Sequence, residues 1–422
     1  MLAFRFLAHF AQEDFVCLLH SNNFIFDSYG EYEWIAAAGI AKKYMPEFSD
    51  DAFAELEKFN KENSDWKFGF LSYDLKNQIE NLHSENTCTI QFPLMQFVIP
   101  QVLLVKHKSG KLQMGMYQNN DFHVVSELFE QIEKAEIQSS SLQSIELKTR
   151  TTKKEYIQHV NSLLRYIQRG DIYEANYCQE FFAEDVTINP IQVFYSLMQL
   201  SPNPFSAFLK TGDKYILSAS PERFLKKKGL QLISQPIKGT VKRGKSIEED
   251  EHQKQVLLQS EKNRAENVMI VDLVRNDLSH FASKASVKVE ELFGLYSFPQ
   301  VHHLISTVSC LLQKDSDTWQ AVKKAYPMGS MTGAPKVSAM QLIEQHEDFA
   351  RGVFSGSIGY IDTEDNFDFN VVIRSIFYDA SKKYLSCPVG GAITHYSQAE
   401  DEYQECLHKI EGMLASLRGE NK

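Results

Sequence analysis

The pattern of apolar and polar positions is densest over residues 246–281, a stretch whose spacing predicts one long helix. Ser246 and Glu249 stand at its start in the arrangement of a capping box. Over 268–274 apolar residues point in nearly every direction around the axis, which predicts burial on most sides. Glu266 would then enter a covered core as a carboxylate, tolerable beside a cation, a strong donor or a metal ion. A carboxylate at the edge of the core, paired with a nearby Arg or Lys, is the plainer alternative.

Before this stretch, residues 1–138 mix short strands with helical patterns near 32–44 and 50–60. The run Ser139-Ser140-Ser141 marks a boundary near 139–150, separating an N-terminal lobe over 1–145 from a second lobe over 150–418. Thr152 and Glu155 form another capping box, followed by Tyr156, Val160, Leu163, Leu164 and Ile167 at helical spacing until Gly170. Strand patterns then cover 171–182, 205–209, 215–219 and 231–241, with hairpin-length connections that favour antiparallel pairing. The last helix is expected over 398–417, with Ser397 and Glu400 as its cap and Tyr403, Cys406, Leu407, Ile410, Leu414 and Leu417 as its apolar stripe.

Composition narrows the classes. A chain of 422 residues, 43% hydrophobic and 12% aromatic, can bury a large core. Its net charge of -11 argues against broad nucleic-acid or anionic-membrane binding, so an anionic ligand would need local cations. Six cysteines without paired or zinc-like spacing fit a reducing cytoplasm. The apolar start is soon followed by Glu13 and Asp14, unlike a signal peptide. Residues 88–105 are uncharged, yet Pro93, Pro100 and three glutamines make them strands rather than a membrane span.

Several short motifs could carry chemistry. Taken alone, Glu405 and Lys409 read as an ordinary exposed pair one helical turn apart; facing a cleft, Glu405 could join Glu266 on a hard cation such as magnesium. Lys238, in Pro236-Ile237-Lys238-Gly239-Thr240, is either a solvated surface group or a nucleophile beside a glycine that admits a ligand. Glu222, in Ser220-Pro221-Glu222-Arg223-Phe224, is either a general acid or half of a salt bridge. Gly329 to Lys336 leads into a helix whose first turn holds Pro335; its amides suit an anion, but it lacks the ending of a phosphate-binding P-loop. Gly390-Gly391, Arg374 and His303 are weak signals individually.

Together and in this order, these motifs resemble those of the chorismate-utilising enzymes: the component I chains of anthranilate and aminodeoxychorismate synthases, and the isochorismate and salicylate synthases. The resemblance is strongest over 150–415. It implies a two-lobed α+β fold of antiparallel sheets packed face to face with helices outside, the N-terminal lobe like that of anthranilate synthase component I. In that family the glutamates matching Glu266 and Glu405 hold magnesium, with Glu402 in or near the shell. Positions matching Tyr360, Arg374, Gly390, Gly391 and Lys409 bind the carboxylates of chorismate, and His303, Ser330, Gly239 and Thr240 match further pocket positions.

Gln179 stands where the members that add water carry a lysine base, which disfavours isochorismate and salicylate synthesis. Anthranilate synthases have alanine in Pro-Ile-Ala-Gly-Thr, whereas aminodeoxychorismate synthases have the lysine seen here as Lys238. The implied reaction is amination of chorismate at C4, giving 4-amino-4-deoxychorismate for para-aminobenzoate and folate synthesis. Lys238 would attack C2 while Glu222 protonates the departing C4 hydroxyl, and ammonia would then add at C4 and expel the lysine. Anthranilate synthesis and a catalytically silent aromatic-sensing subunit are the alternatives.

The chain has no Gly-x-Cys-x-Gly nucleophile turn, so ammonia is expected from a separate glutamine amidotransferase subunit, and no extension after Lys422 would supply a lyase. The pattern departs from the family at Ala392, where a third glycine is usual, and at Tyr396-Ser397, where Asp-Ser often follows. Ser21, Pro204 and Phe205 match a site that holds tryptophan in relatives, although His20 replaces the usual acid there.

Overall fold

Along the strand Phe15–His20, Phe15 and Cys17 point to one side and Val16 and Leu18 to the other, and both sides are buried. A strand with two covered faces reads as a continuous apolar run, and it belongs inside a layered structure. Phe15 and Cys17 join Leu209, Ile216, Phe70, Phe97 and Phe369 in one core. Val16 and Leu18 join Phe208, Leu217 and the helical residues Phe6, Tyr156, Phe194 and Ile410 in another. In this computed structural model, which describes residues 1–47, 51–80, 82–137, 145–314 and 317–419, the fold is α+β, with two large antiparallel sheets and helices around them.

The first sheet runs from Gly333–Ala334 through Glu174–Ala183, Tyr384–Thr394, Ser375–Asp379, Lys214–Ser220, Phe205–Thr211, Phe15–His20, Tyr32–Ala38 and Val102–His107 to Leu112–Met116. The second runs from Ile237–Lys242 through Val301–Leu311, Gln231–Gln235, Arg223–Lys228, Phe367–Asn370, Ser357–Ile361, Lys67–Leu71 and Met95–Ile99 to Lys42–Tyr44. Each sheet therefore draws strands from both 1–145 and 150–418, so the two segments share sheets and cores. The serine run at 139–141 lies outside the described residues.

Three helix expectations change. Residues 32–44 form the strands Tyr32–Ala38 and Lys42–Tyr44, because the apolar run 34–38, buried on both faces, has no periodicity that separates strand from helix. The stretch 246–281 is two helices, Ile247–Gln259 and Glu261–Ser279, broken at Ser260, whose side chain leaves the first helix to cap the second at the Asn263 amide. Within 268–274 burial is one-sided: Ile270, Val271 and Val274 are covered, whereas Val268 is 43% exposed. Apolar character did not require burial there, since apolar atoms make up much of any protein surface.

The caps divide similarly. Thr152 and Glu155 close a reciprocal capping box on Lys153–Arg169, and Asp51 caps Ala52–Glu62; Asp50, where that helix was expected to start, lies outside the described residues. The final helix, Ala399–Arg418, begins without the expected Ser397–Glu400 cap. Ser397 instead accepts a hydrogen bond from the Thr394 amide at 3.0 Å, and Glu400 pairs with Lys153 at 2.5 Å.

Arg223 ties the loop after the first strand to the second sheet. Its fully buried guanidinium binds both oxygens of Asp27 at 2.9 Å and those of Asp368 at 2.8 and 2.9 Å. Replacing it leaves Asp27 without its ion-pair partner and Asp368 with Lys226 alone, at 3.3 Å. Arg223→Met is therefore expected to lower the free energy of unfolding by about 3–5 kcal/mol, read from urea denaturation.

Candidate active site

Lys238 stands at an irregularity in its strand. Ile237 pairs with Ile305 and Thr240 with His303, so Lys238 and Gly239 together oppose Leu304 alone. This is a bulge, and Gly239 at φ 96° supplies the left-handed backbone it requires. The bulge carries Lys238 into a cavity of about 360 Å³ between the sheets' ends and the helices Glu261–Ser279 and Ala399–Arg418.

The Lys238 Nζ donates to Glu174 Oε1 at 2.6 Å, with both side chains buried. Burial alone would lower the lysine pKa, but Glu174, Glu266 and Glu222 around it raise it above the ordinary value, so the group rests as an ammonium. Glu222 lines the same cavity. Burial pushes its carboxyl up to about 7, against the opposing pull of a Ser330 hydrogen bond and the Lys238 charge. It is thus an acid that can give up a proton near neutrality.

The two helices bring Glu266, Glu402 and Glu405 to the cavity wall. Burial raises the pKa of Glu266 and of Glu402, while Lys409, at 2.5 Å, lowers that of Glu405. Lys262 lies between the helices, 3.4 Å from Glu402 and 4.0 Å from Glu266, and Thr394 donates to Glu266 at 3.3 Å. Among the described residues no three acidic, histidine or cysteine side chains already close on one point. An all-oxygen set of a few carboxylates still fits a hard divalent cation, because magnesium uses one or two of them with substrate oxygens and water. Gly391 keeps this wall open: a Cβ there would stand 3.3 Å from Glu402 Oε2 and 3.7 Å from Glu405 Oε1.

Cations for an anion lie nearby. Lys409 also donates to the Gly390 carbonyl at 2.7 Å. Arg374 lines the cavity, and among the described residues it forms no ion pair; burial lowers its pKa, the mark of an under-compensated charge. His303 is buried and held neutral, its pKa pulled down to about 3 by burial and by Arg374, and its Nδ1 shares a 2.7 Å hydrogen bond with Thr240.

The cavity therefore brings together Lys238, Glu222, Gly239, Thr240, His303, Ser330, Arg374, Gly390, Gly391, Lys409, Glu266, Glu402 and Glu405. Two expected substrate positions lie outside its lining. Gln179 is fully buried under the final helix, against Cys406, because it alternates onto the helix-covered face of its strand. Tyr360 packs its ring on Tyr32 and Trp66 and lines a second, smaller cavity of about 70 Å³ together with Ser21, Pro204 and Phe205. Sequence reasoning missed Glu174, Lys262 and Thr394. Glu174 left no distinct signal, since its strand also carries Asn176, Gln179 and a second acid, Glu180.

A family profile described as chorismate binding enzyme matches residues 21–415. The chain belongs to the chorismate-binding enzyme family. Relatives within it include aminodeoxychorismate synthase component 1 of Escherichia coli (strain K12), 36% identical over 350 residues, covering 83% of this chain and 76% of that one. The protein of the same description from Bacillus subtilis (strain 168) is 32% identical over 362 residues, with the same two shares. Among solved structures, anthranilate synthase component I from Streptococcus pneumoniae TIGR4 superposes with a TM-score of 0.80 at 26% identity, over 92% of both chains. MenF, the menaquinone-specific isochorismate synthase of Escherichia coli, shares the fold with a TM-score of 0.77 at 18% identity, over 98% of this chain and 91% of that one.

Glu222 makes stability depend on pH. The folded protein keeps its proton up to about 7 while the unfolded chain releases it near the ordinary value of 4.5, so this group's contribution is lost as pH rises across that window. The unfolding free energy of the wild type relative to Glu222→Gln should decline over the same window in urea titrations. A difference independent of pH would contradict the raised value.

Proposed function

We propose that this chain is the chorismate-aminating component of an aminodeoxychorismate synthase. It adds ammonia at C4 of chorismate and retains the enolpyruvyl group, for para-aminobenzoate and folate synthesis in the cytoplasm. The observation that carries this reading is the buried Lys238 in one cavity with the raised-pKa acid Glu222. The relatives described as aminodeoxychorismate synthase component 1 support it. Their designation as a component also supports a partner, which we take to be a glutamine amidotransferase that releases ammonia. Among the described residues no helix is long and apolar enough to cross a membrane.

In this reading Arg374 and Lys409 hold the substrate's carboxylates with Gly390 beside them, and Gly391 lets it approach the strand. Neutral His303 and Thr240 offer hydrogen bonds without adding charge. Glu266 and Glu405, with Glu402 beside them, are the residues that would hold magnesium, which when bound offsets and orients the ring carboxylate. Lys238 attacks C2 of chorismate as both ring double bonds shift toward C4 and the C4 hydroxyl leaves with the proton of Glu222. Ammonia then forms the C4–N bond and the lysine departs.

Purified chain with chorismate, magnesium and an ammonium salt should form 4-amino-4-deoxychorismate without pyruvate. Stoichiometric pyruvate would instead favour anthranilate synthesis, and no turnover under any ammonia supply a silent sensing subunit. Glu222→Gln should lower kcat by about 10²–10⁴-fold, and Glu266→Gln should raise the magnesium concentration that activity requires. For the second cavity we propose an aromatic amino acid, tryptophan. The observation behind it is Phe205 beneath the Arg223 guanidinium, 4.6 Å from it, with Ser21 and Pro204 beside them. Calorimetry without a heat of tryptophan binding would remove this second proposal.

A further inference from the structure

The bond from Lys238 to Glu174 presents a problem that the proposed mechanism leaves open. An ammonium has no lone pair, so the group that attacks carbon must first lose a proton. The pair is buried, with side chains 9% and 2% exposed, and a substrate filling the cavity would separate it further from bulk water. Glu174 Oε1 already accepts a hydrogen bond from Nζ at 2.6 Å, the distance of a charge-assisted bond along which a proton can pass. Glu174 enters from the strand Glu174–Ala183 of the first sheet, Lys238 from the bulge in the second, so their contact joins two sheets at the reacting nitrogen.

Resting on the reading of Lys238 as nucleophile, we propose that Glu174 is its base. Glu174 takes one proton from the ammonium, and the freed lone pair forms the Nζ–C2 bond while both ring double bonds shift one position toward C4. The electron pair of the broken C4–O bond leaves with the hydroxyl, which departs as water with the proton of Glu222. Ammonia then attacks C4 and the C2–Nζ bonding pair returns to nitrogen as a neutral amine. The new C4 ammonium returns a proton to Glu222, and Glu174 returns its own to the lysine. Chorismate and ammonia thereby become the amine and water, with no change of oxidation state in the protein.

The test measures formation of the Lys238 adduct from chorismate and magnesium without ammonia, by rapid-quench intact-protein mass spectrometry across pH. The carboxylates acting on Nζ are Glu174, Glu266 and Glu222, with the Asn267 amide on the lysine's carbonyl. Glu174→Gln should slow the adduct by about 100-fold near neutrality. Below about pH 7, where Glu222 keeps the proton the step needs, its rate should then climb about tenfold per pH unit, because the lysine must lose its proton before substrate closes the cavity. Glu174→Asp keeps a carboxylate and should recover most of the rate and the flatter wild-type profile.

A Glu174→Gln rate equal to or above the wild type at neutral pH would overturn the proposal, as would an equal loss at every pH. If the amide variant does not fold, Glu174→Asp decides: a profile with the steep slope expected of the amide overturns it. Lys238→Met tests the underlying reading separately. C4 amination that survives Lys238→Met removes the nucleophile itself, whereas a required lysine with an indifferent Glu174 removes the base alone.

Discussion

A buried ammonium held by a buried carboxylate, Lys238 on Glu174, is the interaction around which the cavity is organised. Either charge alone would be costly to bury, and removing one strands the other. Around the pair, Lys238, Lys242, Lys262, Arg374 and Lys409 face Glu222, Glu266, Glu402 and Glu405, with Glu174 behind. With Glu222 carrying its proton, the wall is within one charge of balance before any ligand arrives. A dianion entering alone would upset that balance, whereas a dianion with a divalent cation would leave it nearly unchanged. Charge balance thus favours the paired arrival of substrate and cation that the family resemblance implies.

The scaffold serves this arrangement by drawing the candidate groups from separate elements. Lys238 comes from a bulged strand of the second sheet, Glu174 from the first sheet, and the acids from two helices. Glu222 precedes Arg223, whose guanidinium is fixed by Asp27 and Asp368. The N-terminal segment thereby braces the strand beside the proposed general acid, and its strands extend both sheets. It shares the catalytic segment's cores instead of standing beside it as a separate body.

Much of the α+β architecture was legible because two local signals were strong. The capping box at Thr152 and Glu155 and the strands over 205–209 and 215–219 follow rules that act within a few residues. The failures have the opposite character. The strand Tyr32–Ala38 is covered on both faces, which erases alternation, and Ser260 breaks a helix whose apolar spacing continues across it. At the candidate site, recurrent motifs pointed to Lys238, Glu222, Glu266 and Glu405, which the fold gathers in one cavity. Glu174 was passed over because its partner is 64 positions away and no local spacing encodes that contact. Tyr360 and Gln179 were misplaced for a related reason, since motif matching fixes position in the chain but not which face of a strand a side chain occupies.

The same alternation bears on the departure at Ala392. Gly391 and Ala392 are neighbours in Tyr384–Thr394, paired with Tyr177 and Asn176 of the adjacent strand, so their side-chain directions oppose one another. The direction that a side chain would take from Gly391 leads to Glu402, Lys409 and Glu405. The methyl of Ala392 takes the other direction, on the side of Asn176, and with Asn176 it lines the same cavity. A glycine is therefore needed where a Cβ would compete with a ligand for the carboxylates and Lys409. One residue further on, the extra carbon of Ala392 takes up cavity wall on the face from which Thr394 reaches Glu266.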